Sequence, residues 1–437
     1  MRRVLCATVL VFGLIGSADV SAQAPALAPE GGPPLTLRQA VDEALRSNPL
    51  LAHLRAQFEA QRLRPAQERF LMPPTLEAQI WQWPINTLNP ANTSMYMLTI
   101  TQDFPGRGKR QLQQTLAEKD ADIAANEIAL RAHEVVERVK RAYADLYLSR
   151  KAIEIHQDSV SLLREFAEAS TIKYTAGRNS QQDVLKPLVE VSKLHEDLLM
   201  HQETAARAIA QLNTLLNRPP DAPIGAVAEP QERVLVAASD ELQRVALERH
   251  PELRGAALGV ERAQAALAVA SGAYKPDFTV GGGYMLMPGD HDAWTASVGI
   301  TWPTARWARG RLDAQKATAS AELAAARAQQ RVTESQVRLA VHDAYIRVKS
   351  AEQRAALLRT TVVPQSQHTL DVARVAYQTD RVDFLALIDN QRQLLDAQLG
   401  YYRALSDLDQ SLADLERTVG DELSPQMFRA PDAHEVH

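Results

Sequence analysis

Leu35-Thr-Leu-Arg-Gln-Ala-Val-Asp-Glu-Ala-Leu-Arg-Ser-Asn-Pro49 returns later in the chain as Asp240-Glu-Leu-Gln-Arg-Val-Ala-Leu-Glu-Arg-His-Pro251, an offset of 202 from Pro49 to Pro251. The register barely slips downstream: Pro74 answers to Pro276, Phe104-Pro105 to Trp302-Pro303, Tyr143 to Tyr345 and Tyr174 to Tyr377. A repeat of this size is a duplicated unit rather than a solenoid array, whose periods run about 20–50 residues. Each copy reads as a helix, two short strands, a very long helix, a tight turn and a long return helix. The copies span residues 35–217 and 239–420, with a proline-marked linker at 218–238 that wraps the helical body and a tail at 421–437.

Within each copy a helix is expected first, over about Thr36 to Phe70 in copy one, capped by Thr36 and stopped by Met72-Pro73-Pro74. The pattern then changes from a helical period to alternation, in predicted hairpins at 75–103 and 276–302. Phe278, Val280, Tyr284 and Leu286 share one face, and Thr279, Gly281 and Gly283 the other. Their partner strand sets Trp294, Ala296, Val298, Ile300 and Trp302 against Thr295, Ser297, Gly299 and Thr301. One face apolar with aromatic ends and the other small and polar is the pattern of a transmembrane barrel strand. A half-buried soluble hairpin gives the same alternation and stays open as an alternative. Four strands cannot close a membrane barrel, which starts at about eight, so the membrane reading requires strands shared between chains in a symmetric oligomer.

From Arg107 to about Tyr174, and from about Ala305 to Tyr377, only Pro364 interrupts a helical pattern. A helix of that length reaches roughly 100 Å and needs neighbours along its length. Return helices are expected at about Gln181–Asn217 and Asp383–Val419.

Met1-Arg2-Arg3, the apolar run Val4 to Ile15 and the small residues up to Ala24 form a secretory signal peptide, with cleavage expected after Ala22 and residues 23–34 an extended lead-in. Cys6, the one cysteine, leaves with the signal, so no disulfide is expected. Removing residues 1–22 also removes two arginines and Asp19, which moves the formal charge from −5 to −6. This mildly acidic balance carries no footprint for nucleic acid. His195 and His201 are six apart, not the i, i+4 spacing of a helical metal pair, and no cofactor or metal is expected. Gly106-x-Gly108-Lys109 lacks the spacing of a phosphate loop and is read as the bend from strand into helix.

On these residues the chain resembles the TolC-like outer-membrane efflux protein family over about Leu35 to Gly420. The resemblance rests on the opening Leu35-Thr-Leu-Arg-Gln-Ala-Val with Asn48-Pro49, and on the junction Thr101-Gln-Asp-Phe-Pro-Gly-Arg-Gly-Lys109. It rests also on Tyr174-x-x-Gly177 leading to Asp183-Val-Leu185, and Tyr377 leading to Phe384-Leu385-Ala-Leu387. The resemblance implies a mainly α fold with a small membrane β part. In it, long antiparallel helices form a trimeric α-barrel, and four strands per chain join a shared twelve-stranded β-barrel. It further implies an outer-membrane exit duct of a tripartite efflux system, homotrimeric and set in outer-membrane lipid, docked to a periplasmic adaptor and an inner-membrane transporter.

For such a duct the resemblance places a periplasmic constriction at the helical turns. Asp183 and Asp389 match carboxylate positions that would ring the pore, while Ala386 occupies the place of another acid. Asp183 as an ordinary first-turn acid and Asp389 as a solvated residue are the alternatives. Tyr174, Tyr377 and Arg381 would hold the closed state, or the tyrosines would be coiled-coil filler. The tips around Gly177, Arg178, Asn179, Ser180, Asp380 and Val382 are the adaptor-docking candidates, against a reading as plain surface turns. Gly177 suits a left-handed turn, whereas Asp380 stands where the family usually has glycine. The rival function is a periplasmic coiled-coil adaptor or scaffold without a pore. An enzyme is the third class and lacks any acid, base and nucleophile constellation.

Overall fold

The computed structural model describes residues 34–81, 85–86, 89, 92–177, 180–230, 232–288, 290–379 and 381–429. The expected signal peptide, the lead-in before Pro34, Arg178, Asn179, Asp380 and the tail from residue 430 lie outside the described residues.

The first helical segment is two helices, not the single helix expected over 36–70: α1 (Leu37–Ser47) and α2 (Pro49–Gln67). Thr36 and Gln39 form a reciprocal capping box that starts α1. Pro49 forces Asn48 out of the helical region, to ψ 125, and then opens α2, where its missing N–H costs nothing. The Asn48 side chain accepts from the N–H of Leu50 at 3.0 Å and so caps α2.

Strands β1 (Thr75–Trp81) and β2 (Met95–Phe104) follow, then α3 (Lys109–Thr175), a helix of 67 residues or roughly 100 Å. The return helix is α4 (Gln181–Leu215), which accommodates Pro187. After the linker, with β3 (Val234–Leu235), the second copy gives α5 (Ser239–Arg249), α6 (Pro251–Gly272), β4 (Phe278–Leu286) and β5 (Ala293–Ile300). Its long helix is α7 (Arg309–Leu357), a π-helical turn at Leu358–Val362 and α8 (Val363–Gln378), followed by the return helix α9 (Phe384–Val419). The π turn sits where Pro364 removes one N–H from the ladder, so the helix adjusts without stopping.

The duplication is visible in the cores. Val135, Val139, Ala142 and Leu146 of α3 are buried, and so are their counterparts 202 residues on, Val337, Val341, Ala344 and Val348 of α7. The first set packs with α1, α2 and α4, the second with α5 and α9. A third core, near the turns, joins the copies: Leu163 and Phe166 of α3 meet Leu370 and Tyr377 of α8 and Phe384, Leu387 and Ile388 of α9.

The linker is docked at many points. Arg150 donates to the carbonyls of Gly225 at 2.6 Å and Ile224 at 2.7 Å. The Tyr143 hydroxyl donates to the Leu35 carbonyl at 2.8 Å and accepts from the N–H of Ala228 at 2.7 Å. β3 pairs antiparallel with β6 (Phe428–Arg429), so the start of the predicted tail is packed against the linker.

Candidate functional site: the four-stranded sheet and the coil tips

The strands form one antiparallel sheet in the order β1-β2-β4-β5, in which the hairpins of the two copies join through β2 and β4. Pairing Leu76 with Ile100, Leu98 with Tyr284 and Val280 with Val298 puts most of the apolar residues of the four strands on one face. That face is exposed; Trp294 at 81% and Val298 at 81% are extreme cases. Thr99, Thr101 and Asp103 share the other face with Thr279, Gly281, Gly283, Thr295, Ser297 and Gly299. Trp81, Met95, Met97 and Met285 extend this second face at its far end. Gly283 is sterically required, because a Cβ there would lie 2.6 Å from the Leu98 carbonyl oxygen. Trp302 and Trp307 are exposed just beyond β5. Among the described residues no helix is long and apolar enough to cross a membrane.

Below the sheet the segment Phe104 to Lys109 makes the bend expected of it. Gly108 has φ +85 and caps α3, and Gly106 packs so closely on the second copy that a Cβ there would meet the Pro276 carbonyl oxygen at 2.3 Å. Asp277 accepts from the N–H of Gly106 at 2.7 Å and from Lys109 Nζ at 2.8 Å, which ties the two strand-to-helix junctions together.

At the opposite end, Gly177 has φ +70 and nothing within 4 Å of a built Cβ, so it is held by conformation and not by crowding. Ser180 caps α4. Its N–H and hydroxyl both reach the Asp183 carboxylate, at 3.1 and 2.9 Å, as in a capping box. Asp183 thus has a structural role in starting the helix. Ser170 of α3 donates to the Asp183 carbonyl at 2.9 Å, closing the hairpin.

The two tyrosines are not equivalent. Tyr377 is 6% exposed, edge-on to Phe384 with ring centroids 5.5 Å apart, whereas Tyr174 is 45% exposed. Lys173 lies 4.0 Å from the Tyr377 ring centroid and donates to the Tyr377 carbonyl at 2.6 Å, linking the two tips. Nothing in the sequence motif marks Lys173; its partner lies 204 residues away. Arg381 is exposed, with its backbone N–H on the Ala376 carbonyl at 2.9 Å, and Val382 packs against the tip core. Asp389 is half exposed and 3.6 Å from Arg392. Arg392 is itself bound by Glu190 of α4, Nε to Oε2 at 3.0 Å. Burial pushes the Glu190 carboxyl up, but the bonds from Arg392 and Lys193 outweigh it and hold the group below its ordinary value. Leu185, Leu188 and Val189 of α4 are exposed beside these groups.

Away from the tips, the His201 ring packs on the buried His156 with centroids 4.7 Å apart, and His195 is exposed. Among the described residues no group of three His, Cys, Asp or Glu is placed to hold a metal ion.

This architecture is shared with known proteins. The chain is 22% identical over 415 residues to the cobalt-zinc-cadmium resistance protein CzcC of Cupriavidus metallidurans, covering 94% of this chain and 96% of that one. Its fold matches the outer membrane protein VceC of Vibrio cholerae with a TM-score of 0.72 at 20% identity, over 88% of this chain and 96% of the other. It matches CusC, described as forming a transmembrane channel, with a TM-score of 0.76 at 16% identity, over 88% and 92% of the two chains. The model of the outer membrane efflux protein family matches residues 40–218 and 242–421, one match for each copy, and the chain belongs to that family of outer-membrane efflux channels.

Proposed function

We propose that three copies of this chain close a twelve-stranded barrel in the outer membrane and continue below it as a helical tunnel, the exit duct of a tripartite efflux system. The observation that carries the reading is the four-stranded sheet, apolar and exposed on one face and polar on the other, with β1 and β5 at its edges. A sheet edge in lipid leaves backbone groups without partners, so strands cross a membrane only in a closed barrel. Because β1 and β5 run in opposite directions, β5 of one protomer can pair antiparallel with β1 of the next, and the assembly closes by repetition. The apolar face then meets lipid and the threonine and glycine face lines the lumen.

In this assembly the tips at Gly177, Ser180 and Val382, with Arg178, Asn179 and Asp380 beside them, meet a periplasmic adaptor that links the duct to an inner-membrane transporter. Tyr174 and Arg381 are exposed for contacts between neighbouring coils, and buried Tyr377 sets the shape of its own tip. Asp389 contributes one carboxylate per chain to a cation-attracting ring, moderated by Arg392. Asp183 joins that ring only to the extent that its cap with Ser180 leaves a lone pair facing the axis. CzcC's connection to cobalt, zinc and cadmium makes divalent transition-metal cations the first cargo class to assay.

The test is the oligomer mass and the planar-bilayer conductance of detergent-purified protein. A trimer that carries small cation-preferring currents is expected. A soluble monomer or dimer that never inserts would overturn the barrel and favour the adaptor-like reading.

A further inference from the structure

Asn48 and His250 hold the same place in the two copies, 202 residues apart, and each caps the helix that follows it, with different chemistry. Asn48 Oδ1 accepts from the N–H of Leu50 at 3.0 Å while Nδ2 donates to the Leu215 carbonyl at 3.0 Å. One side chain therefore caps α2 and staples it to the end of α4. His250 Nδ1 accepts from the N–H of Glu252 at 3.1 Å and so caps α6. The joint is tight: His250 is buried, and a Cβ on Gly420, which ends α9 with φ +76, would lie 2.7 Å from the His250 Cα.

An amide keeps its acceptor and its donor at any pH, but an imidazole does not. Accepting at Nδ1 requires a bare lone pair, so only the neutral Nε2–H tautomer makes the cap. A proton added at Nδ1 would turn that nitrogen into a donor facing the N–H of Glu252. We propose that the second copy carries an acid-sensitive cap, in which protonation of His250 frees the first turn of α6 where it packs on the end of α9, while the Asn48 cap of the first copy stays closed. Acidification thereby loosens one of two otherwise equivalent joints and makes the copies mechanically unequal.

The surroundings oppose the proton. Burial first, and then the charges of Arg417 from α9 and of His133 from α3, lower the His250 pKa to about 4, with the Arg417 backbone pulling the other way. Arg417 is paired with Asp414 at 2.8 Å, with Glu137 of α3 and Glu252 of α6 also acting on it. Asp421 is bound by Arg249 of α5 and acts on His133. A histidine whose folded pKa is lowered from 6.5 to about 4 contributes stability that is full above about pH 6.5 and is lost as the pH falls toward 4. Between pH 7.5 and 5 the opening equilibrium of the joint rises about 30-fold on these values.

The experiment is hydrogen–deuterium exchange of the full-length oligomer in detergent at pH 7.5, 6 and 5, corrected for intrinsic exchange, comparing peptides at the N-termini of α6 and α2. The wild type is expected to lose about 30-fold in protection at α6 relative to α2, and His250→Asn to lose none. An α6 that stays as protected as α2, or a His250→Asn protein that responds like the wild type, overturns the inference. Should His250→Asn not assemble, the converse Asn48→His change is expected to make the α2 joint acid-sensitive, and an unresponsive α2 is then the refuting result. The inference stands on the packing of one chain, so its failure leaves the duct untouched.

Discussion

Lys109 Nζ lies 2.8 Å from the Asp277 carboxylate, and that contact holds the first copy's strand-to-helix bend against the second's. The same carboxylate takes the N–H of Gly106 at 2.7 Å, so one side chain serves two groups that begin α3. Sheet and helical body meet here, at the point where a twisted strand must become a straight rod.

Replacing Asp277 with alanine removes both bonds. The site is partly exposed, so the expected loss is about 1–2 kcal/mol and not the larger cost of a buried pair. Thermal unfolding followed by circular dichroism should show a fall in Tm, with Asp277→Asn falling less because its amide oxygen still accepts from Gly106. Lys109→Ala should cost less than Asp277→Ala; equal losses would place the stability in the ion pair alone.

Gly177→Val forces a β-branched residue into φ +70, at a strain of about 1–2 kcal/mol, but meets no neighbouring atom. Trimer formation should survive, and assembly with the pump should fall severalfold, read by co-purification of adaptor with the duct. Equal loss of both would mean the turn matters for folding and not for docking.

Asp389→Ala should reduce cation selectivity, measured as a smaller reversal potential under a salt gradient in planar bilayers. Arg392 then keeps Glu190 but loses Asp389, which leaves more positive charge at this position, so the shift should exceed that from Asp389→Asn paired with Arg392→Gln. Unchanged potentials would take Asp389 off the pore lining.

Burial raises the Asp409 carboxyl to about 6, with Arg233 and Lys140 pulling it back down and Glu416 pushing it up. An acid whose folded pKa lies above its unfolded value of 3.8 favours folding most when protonated, and that contribution declines as pH rises from about 4 to 6. Asp409→Asn should therefore raise Tm at pH 7.5, by a stabilisation on the order of 1 kcal/mol or more, and leave it unchanged at pH 4. A lower Tm at pH 7.5 would mean that the ionised carboxylate is the stabilising form beside Lys140.

Periodicity alone was enough for much of the architecture. The 202-residue duplication, the long helices and the two-faced strands follow from where apolar residues recur, because burial on a helix or a pleated sheet imposes a period of 3.6 or 2. Gly177 and Gly108 were legible for a local reason, since a left-handed φ singles out glycine. The helix expected over 36–70 erred at Asn48, although Pro49 was in plain view: its effect on the preceding residue outweighed a continuous apolar pattern.

What the chain's order of residues determined by itself is local: the elements, their faces, and two copies of one design. Which elements meet was decided only in three dimensions. Equivalent residues in the two copies have different neighbours, so Tyr377 is buried against Phe384 and Lys173 while Tyr174 stays exposed. The pairing of β2 with β4, the docking of the linker through Arg150 and Tyr143, and the matching caps of Asn48 and His250 join groups far apart in the chain. Such contacts depend on packing geometry and charge at close range, and a periodic pattern carries no record of either.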